Sequence, residues 1–275
     1  MTHPPILTDR TALDRFRARA SAMDNPALFL QQDAADEIHE RLMEVNRTFT
    51  TPAIVSGFPQ VWGNLLPGIR HVADGDVLNL QEGAHDLVIH AMCLHWSNDP
   101  VGQLVQCRRA LQPDGLFLGV LFGGGTLQEL RAALAEAEAT LTGGLSPRVA
   151  PMAELRDLGG LLQRAGFALP VADGAARTVT YPSPLHLMQD LRAMGEGNAL
   201  DQRHRAIPPR ALFPMAAQLY HQAHGLPDGR IPATFETIFM TGWAPDDSQP
   251  QPLKPGSAQI PLEDALNRLR NKERD

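Results

Sequence analysis

Few residues of this chain have the type and spacing to do chemistry, and they cluster. Asp74-Gly75 follows Ile69 to Ala73, and Leu94-His95-Trp96 follows the nearly continuous apolar run Leu87 to Met92. Such a run, flanked by polar turns, reads as a strand buried on both faces, as in parallel sheets. Ligands of open α/β sheets sit beyond the carboxyl ends of the strands, where both segments would lie. Gly57 closes an earlier strand-like run, Ala53 to Gly57, and Glu196 and Asn198 lie between glycines in Gly195-Glu196-Gly197-Asn198. Those two are the best substrate-side polar candidates, with a helix-stopping loop as the plainer reading. Trp96 either lines a cleft or closes the core.

Other chemistries find no support. His85, His90 and His95 recur every five residues, which is neither one strand face nor helical metal spacing, and no His-x-Asp/Glu dyad occurs. They read as surface or hydrogen-bonded side chains, and no metal site is expected. Cys93 and Cys107 lack Cys-x-x-Cys partners. Neither a Gly-x-Ser-x-Gly elbow nor a phosphate-binding Gly-Lys-Ser/Thr loop is present. No catalytic residue can be named from the motifs.

The elements around these residues alternate. Gln103 to Leu111 has helical spacing, Pro113-Asp114-Gly115 turns the chain, and Leu116 to Phe122 is a second buried strand. Strand, helix and strand make a right-handed βαβ unit. Upstream, Thr8 to Ala22 and Phe29 to Val45 read as helices, and the basic set Arg10, Arg15, Arg17, Arg19 reads as a solvated helix face. Asp74 lies only 17 positions after Gly57. That is room for one crossover, with a helix over Gln60 to Leu66 and a strand over Ile69 to Ala73. Downstream, helices are expected over Leu127 to Leu141, Met152 to Gly166, Pro184 to Met194 and Pro209 to His224, with strands at Arg177 to Tyr181 and Ile231 to Trp243. This divides the chain into a helical lead-in over 1–50, an α/β domain over 51–244, and a proline-rich extended tail over 245–275, with Leu262 to Asn271 a short terminal helix or a frayed end.

Composition sets the outer bounds. With 275 residues, 43% of them hydrophobic and 20% charged, the chain can build a large core. A net charge of −7 argues against nucleic acid as partner. No run of about eighteen apolar residues forms a membrane span. Met1 to Ile6 lacks an apolar signal region, and two cysteines suit a reducing compartment, so the cytoplasm is the expected location.

The wording of the central unit resembles class I S-adenosylmethionine-dependent methyltransferases. Asp86-Leu87-Val88 matches the family's entry to its fourth strand, Leu94-His95-Trp96 the exit, and Leu111-Gln112-Pro113-Asp114-Gly115 the lead to the fifth. Longer stretches are similar to the bacterial form of the methyltransferase-fold assembly factors of respiratory complex I, relatives of the malonyl carrier-protein methyltransferases. They are Arg15 to Arg19, Phe122 to Arg131, Asp157 to Phe167, Leu187 to Asn198 and Pro232 to Trp243. The resemblance implies a Rossmann-like class I methyltransferase fold, a mainly parallel sheet with helices on both faces, shortened after the first strand. It implies S-adenosylmethionine as cofactor, with Gly57, Asp74, Gly75, Leu94 and His95 on the cofactor side and Trp96, Glu196 and Asn198 on the substrate side. It also implies a protein partner, a complex I subunit.

The family's first turn is of the type Asp-x-Gly-x-Gly-x-Gly, whose glycines admit the cofactor to the backbone. Here it reads Gly57-Phe58-Pro59-Gln60, with no Asp or Glu from Asn46 to Ala73. The expectation is therefore a cofactor grip weakened or lost and action by protein contact. The alternative is an active methyltransferase or arginine-modifying enzyme on a protein substrate.

Overall fold

The computed structural model describes residues 6–250, and of these 6–245 form one compact unit. The proline-rich tail beyond Pro250, including Leu262 to Asn271, expected as a short helix or a frayed end, lies outside the described residues.

Asp9 caps α1 (Arg10–Ser21), its carboxylate accepting from Ala12 N at 3.0 Å. α2 (Phe29–Val45) ends on Asn46, which takes the left-handed conformation that stops a helix. β1 (Pro52–Ser56) is buried along its length. The helix expected over Gln60 to Leu66 shrinks to one turn, α3 (Pro59–Trp62), and the strand expected over Ile69 to Ala73 forms as β2 (Arg70–Val72). β3 (His85–Ala91), α4 (Pro100–Ala110) and β4 (Leu111–Phe122) complete the βαβ unit. α5 (Gln128–Thr142), α6 (Leu155–Arg164), β5 (Ala168–Tyr181), α7 (Pro184–Ala193), α8 (Leu212–His224) and β6 (Ile231–Trp243) follow.

The sheet has six strands among the described residues, in the order β2-β1-β3-β4-β6-β5. β2, β1, β3 and β4 are parallel, and β6 runs antiparallel between β4 and β5. Between Gly57 and Asp74 there is only α3 and β2, so the sheet is shortened after its first strand as expected. Helices cover both faces. α2, α5, α7 and α8 pack against one through Ile38, Leu130, Leu187 and Tyr220, and α4 and α6 against the other through Leu104 and Leu158.

Several boundaries differ from expectation. Pro113-Asp114-Gly115 does not turn the chain out of a helix; α4 has already stopped at Ala110, and the triplet is an irregular opening of β4 with Asp114 at φ 58°. β5 begins nine residues before Arg177. It is an edge strand with both faces largely exposed, so its first half lacks the apolar pattern that marks a strand. α6 starts at Leu155 rather than Met152.

Candidate functional site

The carboxyl ends of β1, β2 and β3 bring the cofactor-side residues together, and α1 lies across them. Beyond β1, the Ser56 hydroxyl accepts from Phe58 N at 2.9 Å, which fixes the turn through Gly57. Beyond β2, Asp74 is 5% exposed. Arg17 Nη1 donates to its Oδ2 at 2.7 Å, and Arg10 Nη2 stands 3.3 Å from Oδ1 while also donating to the Asp74 carbonyl. Burial by itself raises the Asp74 pKa, but the two guanidinium groups prevail and hold it below the ordinary carboxylate value.

Arg17 corrects the reading of the basic cluster as a solvated face. Arg15 is exposed and Arg19 half-buried, but Arg17 is 5% exposed. Its guanidinium lies 5.7 Å from the Phe58 ring centroid and rests on Gly57, where an added Cβ would be 2.5 Å from Arg17 Cζ. The signal was present in the sequence: Leu13, Arg17 and Ala20 fall at i, i+4 and i+7, so Arg17 shares the buried stripe. Burial would lower its pKa, yet Asp74, Glu196 and Cys93 raise it.

β3 ends in a strained turn. Met92, fully buried, takes φ 51° and leads into a single 3-10 turn, Leu94–Trp96. Leu94 points into the core. Trp96 Nε1 donates to Glu196 Oε2 at 2.6 Å, and His95 Nε2 lies 3.5 Å from the same oxygen. Glu196 reaches this place because Gly195, at φ 78°, turns the chain sharply after α7. Burial pushes the Glu196 carboxyl upward, but His95, Arg17 and Trp96 together hold it low. Glu196 Oε1, both ring nitrogens of His95, and Nε and Nη2 of Arg17 are buried without a hydrogen-bond partner. Asn198 is tied elsewhere, donating from Nδ2 to the Pro147 carbonyl at 2.8 Å and accepting from Leu200 N at 3.1 Å.

Gly75 belongs to a second, structural network. Its carbonyl accepts from Gln103 Nε2 at 2.7 Å, and Gln103 Oε1 accepts from His90 Nε2 at 2.8 Å. The other His90 nitrogen therefore accepts, and Cys93 Sγ lies 3.5 Å from it. His85 meets the Thr51 carbonyl at 2.9 Å through Nδ1. The three histidines are thus interior rather than surface groups.

Thus Gly57, Asp74, His95, Trp96 and Glu196 gather around Arg17, which the sequence reading did not place there. Beyond Trp96 opens a cleft of about 550 Å³, lined by Trp96, Phe122, Leu130, Met188, Phe235 and other residues, with Glu196 and Asn198 at its wall. This cleft was not legible in the sequence, because its lining comes from six separated segments.

Three features of the cradle bear on the cofactor that the resemblance implies. The Arg17 guanidinium occupies the space above Gly57. Asp74 is already engaged by two arginines. Pro59 has no N–H to offer, and no carboxylate lies in the turn to meet an ammonium.

A family model described as a methyltransferase domain matches residues 55–119. Mitochondrial arginine-hydroxylase NDUFAF5 of Danio rerio is 39% identical over 220 residues, covering 80% of this chain and 68% of that protein. The mouse protein of the same name is 42% identical over 195 residues, 71% of this chain and 57% of its own length. The chain therefore spans little more than half of several such relatives. Malonyl-[acyl-carrier protein] O-methyltransferase of Xylella fastidiosa is 34% identical over 212 residues, 76% of this chain and 68% of that one. Among solved structures, the YcgJ protein of Bacillus subtilis aligns with a TM-score of 0.47 at 10% identity, covering 76% of this chain and 98% of that one.

Proposed function

The chain belongs to the class I S-adenosylmethionine-dependent methyltransferase superfamily, and on that premise we propose that it keeps the fold while its cofactor cleft is sealed from within, so that it acts by protein contact in assembling a respiratory complex. One observation carries this reading: the Arg17 guanidinium lies on Gly57 and is ion-paired with Asp74. Those two positions are the turn and the carboxylate through which a class I enzyme would hold its cofactor. Two further features support it. The turn has neither an acidic residue nor a glycine run, and each charge-assisted hydrogen bond lost there removes about 1.5–3 kcal/mol. The partner in this reading is a subunit of complex I, following the resemblance to its assembly factors. The compartment is the cytoplasm, in keeping with two buried, unpaired cysteines.

Calorimetric titration of the purified chain with S-adenosylmethionine tests the central claim. The expected dissociation constant is about 100 μM or weaker, that is, no more favourable than about −5.5 kcal/mol. A constant in the low micromolar range would overturn the reading and restore the alternative, an enzyme modifying a protein substrate. Assembled complex I in a deletion strain of the source organism, compared with and without the gene restored, reports the role itself.

A further inference from the structure

The cleft beside Trp96 has an apolar body and a basic opening. Phe122, Leu130, Leu134, Met188 and Phe235 line it, and its volume of about 550 Å³ lies within the range of small-molecule sites. α7 contributes Leu185, Met188, Gln189 and Arg192, which share one helical face at i, i+3, i+4 and i+7. Leu185 and Phe213, two large apolar side chains, are 49% and 38% exposed at the cleft. Exposed apolar surface around a concave site marks a place where a ligand is taken up.

The charges at the two ends differ. Glu196, at the inner wall, is already committed: it accepts from Trp96 and lies in the fields of His95 and Arg17. Arg192, exposed on the lining face of α7, has no ion pair or side-chain hydrogen bond among the described residues. Arg19 comes near it where α1 packs on α7; it lies 5.1 Å from the Phe16 ring and has no ion pair or side-chain hydrogen bond among the described residues. Arg192 and Arg15 both press on Arg19 as like charges, and Arg15 has no ion pair either. Three guanidinium groups without a carboxylate, in a chain of net charge −7, form a local anion-attracting patch.

We infer that this cleft binds a single-chain amphiphile with an anionic head group, its tail between α5 and α7 and its head against Arg192, with Arg19 and Arg15 adding positive charge nearby. The inference goes beyond the protein-contact role and does not depend on the fate of the cofactor cleft. A chain that bound S-adenosylmethionine tightly would still present this site.

The test is calorimetry of the full chain with dodecanoate, dodecanol and dodecylamine, each below its micelle concentration. Dodecanoate is expected to bind at least tenfold more tightly than dodecylamine, with dodecanol between them. Arg192→Glu, an exposed substitution, is expected to weaken dodecanoate at least tenfold and to leave dodecanol within twofold. Met188→Trp, which fills the cleft, is expected to weaken all three, with circular dichroism and the thermal midpoint verifying the fold. No binding of dodecanoate, equal affinities for anion and cation, or an unchanged dodecanoate affinity in either variant would each overturn the proposal. So would binding to phosphatidylglycerol vesicles without binding to monomeric dodecanoate.

Discussion

Arg17 and Asp74 make a buried ion pair with side chains 6% and 7% exposed, and burial of charge is tolerable only while both partners stay. Arg17→Ala leaves Asp74 with Arg10 alone. The expected loss is about 3 kcal/mol in urea unfolding, toward the low end for a broken buried pair because one guanidinium remains. Combining Arg17→Met with Asp74→Asn removes both charges and should recover most of that loss; a double variant no more stable than Arg17→Ala would show that the pairing is not what Arg17 contributes. Cys93 and Cys107 make the opposite case. Burial drives both thiols well above their ordinary pKa, so neither supplies a thiolate near neutral pH. Both are expected to resist a thiol reagent such as DTNB in the native protein and to react fully in denaturant.

At the scale of elements, the site depends on how α1 and α7 are held together over the sheet ends. Gly195 sits in the joint. A Cβ there would lie 3.2 Å from both Arg17 Cα and the Phe58 ring, and its φ of 78° is strained for any residue with a side chain. Gly195→Ala should destabilise by about 1–2 kcal/mol from the left-handed backbone alone. That corresponds to a thermal midpoint lower by about 2–8 °C for a domain of this size, and an unchanged midpoint would rule out a strained joint. The same element-level logic explains the boundaries. α1, α4 and α7 begin where Asp9, Asp99 and Ser183 accept from the backbone N–H of Ala12, Gly102 and His186, and Asp99 and Ser183 precede a proline at the first helical position. Such local signals are readable without a fold. The first half of β5 has none, because its pairing partner β6 lies about 65 residues further along and an edge strand needs no apolar face.

For the whole molecule, the buried polar groups set how stability depends on acid. His90 is fully buried and its pKa is lowered from 6.5 to about 4, chiefly by desolvation of the charged form. Between those values the unfolded chain binds a proton that the folded chain refuses, so stability rises with pH across this window and is lost as pH falls through it. The slope from this one group approaches about 1.4 kcal/mol per pH unit. Asp74 and Glu138 act in a lower window. Burial raises the Glu138 carboxyl, but Arg148 and Ser146 outweigh it and bring it down to about 2. Both contribute stability present above the unfolded carboxylate value and lost as pH falls below about 4. Urea midpoints between pH 7 and 4 should therefore fall steadily, and His90→Gln should flatten that fall above pH 4.5. A variant with the wild-type slope would exclude His90 as its source.

The sequence by itself determined the sheet fold, its shortening and the chemistry missing from the first turn. These follow from the apolar runs at Leu87 to Met92 and Leu116 to Phe122, the spacing of 17 positions from Gly57 to Asp74, and the absence of Asp or Glu from Asn46 to Ala73. Each is a local or spacing property, and physics acts on it before any distant contact forms. It also named Asp74, Trp96 and Glu196, but not what they do to one another. The spacing of Leu13, Arg17 and Ala20 marks Arg17 as inward-facing, but tertiary structure alone decided that it lies on Gly57 and pairs with Asp74, 57 residues away. It alone decided that Glu196 meets Trp96 across 100 residues, and that α5, α7 and α8 leave a cleft beside them. Which carboxylate a buried arginine meets depends on what the fold sets against its helix, and charge patterning along the chain carries no record of that partner.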